Sequence, residues 1–222
     1  MVKIIYGQYD FDKYPLKRYR YDEIPADIKR VLSNLNEKEI AVFRGGLAFI
    51  FLLNENQYIL KDLDMLALKT SKDIIIEMLA CADIVYVNEN SFGDTVVTAF
   101  WGKNYEYFKL DILLCDIMPQ ISICIYEGEK KKTISASYIW RNRIEKIAEK
   151  EKRKHDENKT LNHYRVAKIL CDHLKNNKEE ICNDDAKIVA EKINDAKEVL
   201  NNLISEQEAT NFQTINIQLL RG

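Results

Sequence analysis

FRGGLAFIFLLNENQYILKDLD, the sequence of residues 43–64, decides the fold of the region around it. The preceding residues, 39–43 (EIAVF), are apolar and typical of a buried strand that runs into the glycine pair 45–46. The apolar run 47–54 predicts a short helix after this turn. Residues 58–68 then alternate between apolar and polar side chains, which predicts a second strand. We therefore expect a strand, a glycine turn, a helix and a strand in succession.

The glycine pair, Gly45 and Gly46, stands where the predicted strand turns into the predicted helix. Backbone N–H groups at the start of a helix can hold a phosphate, and glycine lets the backbone approach an anion closely. A tight strand-to-helix turn explains the same pair without any ligand. Both interpretations stay open at this point.

Asp62 and Asp64 fall two residues apart on the second predicted strand. Residues with this spacing project from the same face of a strand, so the two carboxylates are expected side by side. Neighbouring negative charges among apolar residues repel each other, and a hard divalent cation with oxygen ligands compensates them. The alternative is a solvated polar face, with Lys61 and Lys69 nearby.

A third carboxylate, Asp111, falls within another predicted strand, residues 105–114. This strand is predicted to pair with residues 95–101 in a hairpin across the turn 102–104. Asp111 shares a strand face with Lys109. Three strand carboxylates after a glycine turn predict a two-metal phosphoryl-transfer site that binds two Mg²⁺ or Mn²⁺ ions.

The order of these motifs resembles the nucleotidyltransferase superfamily that includes the polymerase-β-like enzymes. In its finer pattern the chain is similar to the AbiEii group of abortive-infection toxins. GGLA (45–48) and KDLDM (61–65) stand in the places of two of that group's motifs. IEKIA (144–148) stands in the place of a third, for which Glu149 and Lys150 are an alternative placement. The resemblance covers roughly residues 39–170.

The resemblance implies a nucleotidyltransferase that moves an NMP from an NTP to an acceptor hydroxyl, on an RNA 3′ end such as that of tRNA or on a protein. It implies catalytic and metal-binding roles for Asp62, Asp64 and Asp111. It implies nucleotide-binding roles for Gly45, Gly46 and Lys146. It also implies a toxin of a toxin–antitoxin or phage-defence system, with an antitoxin protein as partner.

Two departures from the family pattern keep other functions open. Leu47 stands where the family has Thr or Ser after the glycine pair, and the family's Arg-Asp-x-x-Asp element has no clear match. One alternative is a catalytically inactive nucleotidyltransferase-fold protein that binds nucleotide or RNA. The other is a non-enzymatic interaction module whose C-terminal helices bind a partner.

Beyond these motifs, the sequence predicts an α+β protein with a mixed nucleotidyltransferase-type sheet and flanking helices, followed by a C-terminal helical domain. The predicted boundary lies in a lysine-rich loop at 127–132, which separates a catalytic domain, 1–130, from a helical domain, 131–222. The catalytic domain includes an N-terminal extension, 1–36, in which residues 14–21 (YPLKRYRY) are predicted to pack over the sheet or, as the alternative, to contact nucleic acid. The other predicted elements are helices at 25–35, 72–81 (with Ser71 as N-cap), 137–153, 160–176 and 184–205, strands at 84–87 and 121–126, and a tail, 210–222, that is either a late strand or ordered by a partner.

Charge limits the nucleic-acid interpretation. The 222 residues include 33 basic and 35 acidic side chains, a net charge of −2, which excludes a globally basic nucleic-acid clamp. Local basic residues after the sheet still offer an RNA contact, or else a solvated helix face interleaved with Glu145, Glu149 and Glu151. These basic residues are Lys130–Lys132, Arg141, Arg143 and Lys152–Lys154.

A cytoplasmic protein without a membrane span is expected from three features. Residues 1–10 (MVKIIYGQYD) lack the apolar core of a signal peptide. The most apolar run, residues 47–53, is far shorter than the roughly 20 residues that a membrane span needs. The five cysteines form no CxxC pair, which favours buried, reduced thiols.

Overall fold

The computed structural model describes residues 2–89, 93–103 and 106–221. Asn104 and Tyr105 of the predicted hairpin turn and strand lie outside these residues. The chain divides into two compact units, residues 1–134 and 135–222. The predicted boundary at residue 130 therefore falls inside the first unit.

The first unit is built on a mixed sheet that has eight strands within the described residues. The strands are β1 (Lys3–Tyr6), β2 (Ala41–Phe43), β3 (Leu63–Leu68), β4 (Ile84–Glu89), β5 (Thr95–Lys103), β6 (Glu106–Cys115), β7 (Ile121–Tyr126) and β8 (Glu129–Ile134). The helices of this unit are α1 (Ala26–Glu37), α2 (Gly45–Leu53) and α3 (Lys72–Met78).

The strand order is β1-β4-β5-β6-β3-β2-β8-β7, so β6 and β3 lie side by side at the centre of the sheet. Three pairs run parallel, β1 with β4, β3 with β6 and β2 with β8, and the other neighbours run antiparallel. Alternate residues of the central strands, such as Met65 and Ile112, are fully buried in the core. Their neighbours Asp64 and Asp111 project from the opposite face. The predicted mixed α+β fold is confirmed.

The glycine turn differs from its prediction in one detail, because helix α2 begins at Gly45 itself rather than at residue 47. Arg44 precedes it in an extended conformation, at φ −137° and ψ −176°. Leu47, Ala48 and Ile50 are completely buried. An all-round apolar helix of this kind is typical of a core position.

The N-terminal extension replaces part of a predicted strand. Strand β3 begins at Leu63 and not at residue 58. Leu16 forms a bridge to Tyr107, and Tyr19 forms a bridge to Leu60. These bridges pair backbone N–H and C=O groups next to β6. A longer β3 would otherwise have paired with those groups. The prediction that residues 14–21 pack over the sheet is confirmed.

The prediction of a loop at residues 127–132 is wrong, because most of this lysine-rich segment belongs to β8. Glu127 and Gly128 both have positive φ, 51° and 82°, and make the tight turn that joins β7 to β8. Asn36 holds the strand in place: its Nδ2 donates to Lys132 O at 2.8 Å, and its Oδ1 accepts from Lys132 N at 2.9 Å. The charged side chains at exposed positions are typical of a loop, although the backbone contacts make this segment a strand.

Helix α3 shows a smaller correction. Ser71 precedes it as predicted, but its side chain makes no capping hydrogen bond within the described residues. The reason is that residues Lys69–Ser71 form a 3₁₀ turn that runs directly into α3. Ser71 is therefore already helical (φ −90°, ψ 2°) and lacks the extended backbone of a typical N-cap.

The second unit contains four helices within the described residues. They are α4 (Ala136–Ala148), α5 (Glu157–Asn177), α6 (Asn183–Asn201) and α7 (Glu206–Leu219). The tail predicted as a strand or as partner-ordered is helix α7. Ser205 and Glu208 form a capping box at its start, and Asn216 Oδ1 accepts a hydrogen bond from Trp140 Nε1 at 2.6 Å. The cap and the packing of α7 against α6 and α5 thus override the alternating ThrIleAsnIle pattern.

In the described part of the chain, no helix combines the length and the apolar character needed to cross a membrane. The five cysteines form no disulfide. Of the five, Cys171 alone is buried and Cys81 is exposed, so the expectation of buried thiols holds for one position.

Candidate active site

Three neighbouring strands place Thr98, Asp111 and Asp64 in one row across the sheet. Thr98 of β5 lies opposite Asp111 of β6, and Asp111 lies opposite Asp64 of β3. Residues in register on adjacent strands project from the same face, with strands about 4.8 Å apart. The structure therefore brings together two of the predicted carboxylates that are far apart in the sequence.

Asp62 lies two residues before Asp64, and Lys109 lies two residues before Asp111. Asp62 was predicted within a strand, but it lies one residue before β3. Lys109 Nζ lies 3.3 Å from Asp62 Oδ2 and 2.7 Å from Asp111 Oδ2. One ammonium group thus joins the carboxylate before β3 to the carboxylate on β6.

Lys109 is a functional residue that sequence reasoning missed. Its spacing put it on the same strand face as Asp111, but nothing in the sequence showed that it is buried, with 5% exposure. Burial disfavours the charged form of a lysine, yet the nearby charges of Asp111 and Asp62 outweigh that effect, so the pKa of Lys109 is raised. Lys109 is therefore a cation at physiological pH.

Asp111 is oriented through both of its carboxylate oxygens. Thr98 Oγ1 donates a hydrogen bond to Asp111 Oδ1 at 2.8 Å, while Lys109 pairs with Oδ2. Thr98 is 1% exposed and also accepts from Asn88 Nδ2 at 3.4 Å. A carboxylate held at both oxygens is fixed in direction before any ligand arrives.

Gly45 allows the Asp64 carboxylate to lie against the first turn of α2. Its φ is +58°, and a Cβ at this position would overlap Asp64 Oδ2 and lie 2.9 Å from Asp64 Cγ. The backbone is also fixed, because Arg44 N donates to Asp64 O at 3.0 Å. At Gly46 a Cβ would meet Leu60 Cδ2 at 2.6 Å, so the Leu60 side chain would have to shift. The phosphate contact of the two glycines stays a prediction.

Asp64 has a pKa raised to about 6. Burial is the largest cause, the negative charge of Asp62 is the next, and Asp111 adds to it, while Arg44 and Lys109 act in the opposite direction. Among the described residues, no lysine or arginine nitrogen forms an ion pair with Asp64. The positive charge present in the site therefore does not fully compensate its three carboxylates.

Asp64→Asn is expected to stabilise the metal-free protein at pH 8 and to leave its stability unchanged near pH 4. In the folded protein the pKa of this carboxyl is about 6, above its ordinary value of 3.8. Its ionisation therefore opposes folding more and more as the pH rises through the range between these two values. The gain at pH 8 should be about 1–3 kcal/mol. Thermal unfolding in EDTA at both pH values measures it, and a lower melting temperature of the variant at pH 8 would contradict the explanation.

Two tyrosines of the N-terminal extension belong to the site, which the sequence did not indicate. Tyr19 is 1% exposed, and its hydroxyl has no hydrogen-bond partner within the residues that the structure describes. Burial and the charges of Asp62 and Asp64 raise the pKa of Tyr19. Burial and Asp111 likewise raise the pKa of Tyr9, while a hydrogen bond with Lys109 lowers it. The extension therefore closes one side of the carboxylate cluster.

The carboxylate cluster of Asp62, Asp64 and Asp111 fits a divalent cation by its chemistry. It offers the oxygen ligands that Mg²⁺ and Mn²⁺ prefer, and an ammonium cation already lies between two of its members. Within the described residues, however, no group of three or more His, Cys, Asp and Glu side chains is arranged so that it could hold a metal ion as it stands. In this structure the cation that Asp62 and Asp111 bind is the ammonium group of Lys109.

Lys146, the remaining predicted site residue, lies on α4 in the helical unit. On the same helix, Arg143 Nη1 lies 3.1 Å from His163 Nδ1. Burial, followed by the positive charges of Arg143 and Lys146, lowers the pKa of His163 to about 2. Lys146 thus lies among positive charges that add to the effect of burial on His163. Its nucleotide contact stays a prediction.

Several basic residues predicted as an RNA contact form ion pairs within their own unit. Lys131 Nζ lies 2.5 Å from Glu129 Oε2. Arg141 Nη1 lies 2.6 Å from Glu145 Oε2, and Arg153 Nη2 lies 3.0 Å from Glu149 Oε2. These pairs favour the alternative in which acidic residues interleave with the basic ones.

Comparison with known proteins identifies the fold. No family model matches the chain, and no curated protein matches its sequence. The structure is similar to an antigenic nucleotidyltransferase-like protein from Paracoccidioides brasiliensis, with a TM-score of 0.56 and 13% identity over 90% of this chain and 94% of that one. Weaker similarities are to JHP933 from Helicobacter pylori (TM-score 0.42, 15% identity, 88% and 89% covered) and to ANT(2″)-Ia in complex with adenylyl-2″-tobramycin (0.42, 18%, 63% and 84%). The first similarity shows a nucleotidyltransferase-type fold.

Proposed function

We propose that this chain is a metal-dependent nucleotidyltransferase that transfers an NMP from an NTP to an acceptor hydroxyl. The register of Asp64 with Asp111 on adjacent parallel strands, beside the turn that opens α2, carries the proposal. The nucleotidyltransferase-type fold supports it, because the carboxylates lie on central strands of that fold. Two oriented carboxylates and a third beside them suit phosphoryl transfer, which depends on positioning and charge neutralisation.

Asp62, Asp64 and Asp111 would hold two Mg²⁺ or Mn²⁺ ions, which when bound neutralise the triphosphate and lower the pKa of the acceptor hydroxyl. Asp111, oriented by the hydrogen bond from Thr98 Oγ1, would accept the proton of that hydroxyl. The acceptor oxygen then forms a bond to the α-phosphorus, and the bond from this phosphorus to the bridging oxygen breaks, which releases pyrophosphate.

The phosphates of the NTP would be bound by the backbone N–H groups of Gly45 and Gly46 and by Lys146. The N-terminus of α2 supports the first contact, since the N–H groups of a first helical turn have no intrahelical partner. The positive region around Lys146, which lowers the pKa of His163, supports the second. Both contacts neutralise negative charge on the nucleotide.

The acceptor follows from the resemblance to the AbiEii group. We propose an RNA 3′ end, such as that of tRNA, or a protein hydroxyl, in a toxin that an antitoxin protein neutralises. The ion pairs of Arg141 and Arg153 reduce the basic surface left for RNA. Both acceptor classes therefore belong in one experiment.

Incubation of the protein with each α-³²P-labelled NTP, Mg²⁺ and either total tRNA or a cell lysate tests the function. We expect label in one macromolecule with one preferred NTP, release of pyrophosphate, and loss of both in EDTA. Binding of NTP without label or pyrophosphate would contradict transfer and indicate the inactive nucleotide-binding alternative. Absence of both NTP and Mn²⁺ binding would indicate the interaction module.

A further inference from the structure

Lys109 has a position that an ordinary surface lysine does not have. Its side chain is 6% exposed, and its ammonium pairs with Asp62 and Asp111 at 3.3 and 2.7 Å. A buried charge is stable only where partners compensate for its lost hydration. The two carboxylates are therefore as necessary to Lys109 as Lys109 is to them.

The charge of the site leaves room for one divalent cation. The three carboxylates, when ionised, contribute three negative charges. Lys109 contributes one positive charge in direct contact, and Arg44, which lowers the pKa of Asp64, contributes a second from further away. The cluster therefore stays negative, and one divalent cation more than neutralises it. Asp64 is the carboxylate that lacks an ion pair among the described residues, so a first divalent ion is expected at Asp64.

We propose that Lys109 is a built-in cation of the carboxylate cluster, which bridges Asp62 and Asp111 in the nucleotide-free protein and excludes a second divalent ion from them. This inference rests on the proposed function, because it concerns the metal loading of the same site. The nucleotide-free protein then binds one divalent ion, and a second ion enters only when Lys109 leaves its two carboxylates. A triphosphate offers the ammonium a new anionic partner, so loading of the second ion is coupled to nucleotide binding.

Mn²⁺ binding without nucleotide, measured by electron paramagnetic resonance at pH 8, tests this proposal with two Lys109 variants. Lys109→Met removes the charge and keeps an apolar stem of similar length, whereas Lys109→Arg keeps the charge. The matched control is Lys131→Met, because Lys131 is also buried, with 4% exposure, but pairs with Glu129 on β8. The wild-type protein, Lys109→Arg and Lys131→Met are expected to bind one Mn²⁺ per chain.

Lys109→Met is expected to bind a second Mn²⁺, with an apparent affinity at least about tenfold higher than any second-site binding in the wild type, since removal of a neighbouring positive charge changes ionic affinities on this scale. Its melting temperature in EDTA should fall, and Mn²⁺ should raise it more than it raises that of Lys109→Arg. The same stoichiometry and affinity in Lys109→Met and the wild type would overturn the proposal. So would a Lys109→Met protein that is unfolded in EDTA and that Mn²⁺ does not refold.

The outcome separates this inference from the proposed function. Suppose that Lys109→Met binds a second Mn²⁺ and the wild-type protein labels no acceptor. This result would support the proposed role of Lys109 and contradict the transferase function. If the wild-type protein labels an acceptor and all variants bind Mn²⁺ equally, the proposed role of Lys109 would be contradicted and the transferase function supported.

Discussion

Asp111→Asn is expected to abolish NMP transfer, with a loss of about 10³-fold or more, while the protein stays folded. The amide keeps the shape of the side chain and an oxygen that accepts from Thr98 Oγ1. It has no negative charge with which to pair with Lys109, hold a divalent cation or accept the proton of the acceptor hydroxyl. The initial rate of NMP incorporation measures the loss, and circular dichroism checks the fold.

Asp116→Asn is the matched control for this substitution. Asp116 makes the same kind of contact, an ion pair at 2.8 Å to Lys69 Nζ, but its side chain is 77% exposed. Water and salt screen an exposed pair strongly, so neither activity nor stability should change measurably. Transfer by Asp111→Asn within tenfold of the wild-type rate would remove Asp111 from the catalytic role.

Gly45→Ala is expected to lower transfer at least about a hundredfold, because misplacement of a catalytic group by about 1 Å has effects of this size. The added Cβ would occupy the place of the Asp64 carboxylate, so Asp64 must move away from Asp111. A non-glycine residue at φ +58° also strains the backbone by about 1–2 kcal/mol. The rate of NMP incorporation and the melting temperature measure the two effects.

Gly128→Ala separates backbone strain from displacement of Asp64. Gly128 also has a positive φ, +82°, but a Cβ there would meet no atom within 4 Å. This variant should lose stability through strain and keep the wild-type rate of transfer. If Gly45→Ala and Gly128→Ala lost stability equally and both kept full activity, Asp64 would not depend on the glycine.

Local patterns were sufficient to predict the central part of the fold. The alternation near Asp111 gave a strand, and the apolar run after the glycine pair gave a helix, because both patterns reflect burial of one face or of the whole element. The α7 helix shows the limit of the approach. Its capping box, Ser205 with Glu208, is a local helix signal, but the alternation that follows it is typical of a strand.

The candidate site was predictable in its acidic members and not in their neighbours. Asp64 and Asp111 could be placed on strands and given a shared chemistry. Thr98, Lys109 and Tyr19 were not predicted, because each is buried beside these carboxylates only in the folded sheet. A side chain's burial and its distant partners are properties of the packed sheet.

The sequence by itself determined which residues face the same way along one segment, since a strand repeats every two residues and a helix every 3.6. It therefore predicted the glycine turn, the acidic pair and the change to helices after the sheet. The tertiary structure alone decided the parallel register of β3 with β6, which sets Asp64 beside Asp111 and brings Lys109 between Asp62 and Asp111. Register between strands that are far apart in the sequence comes from packing of the whole core, so no local pattern contains it.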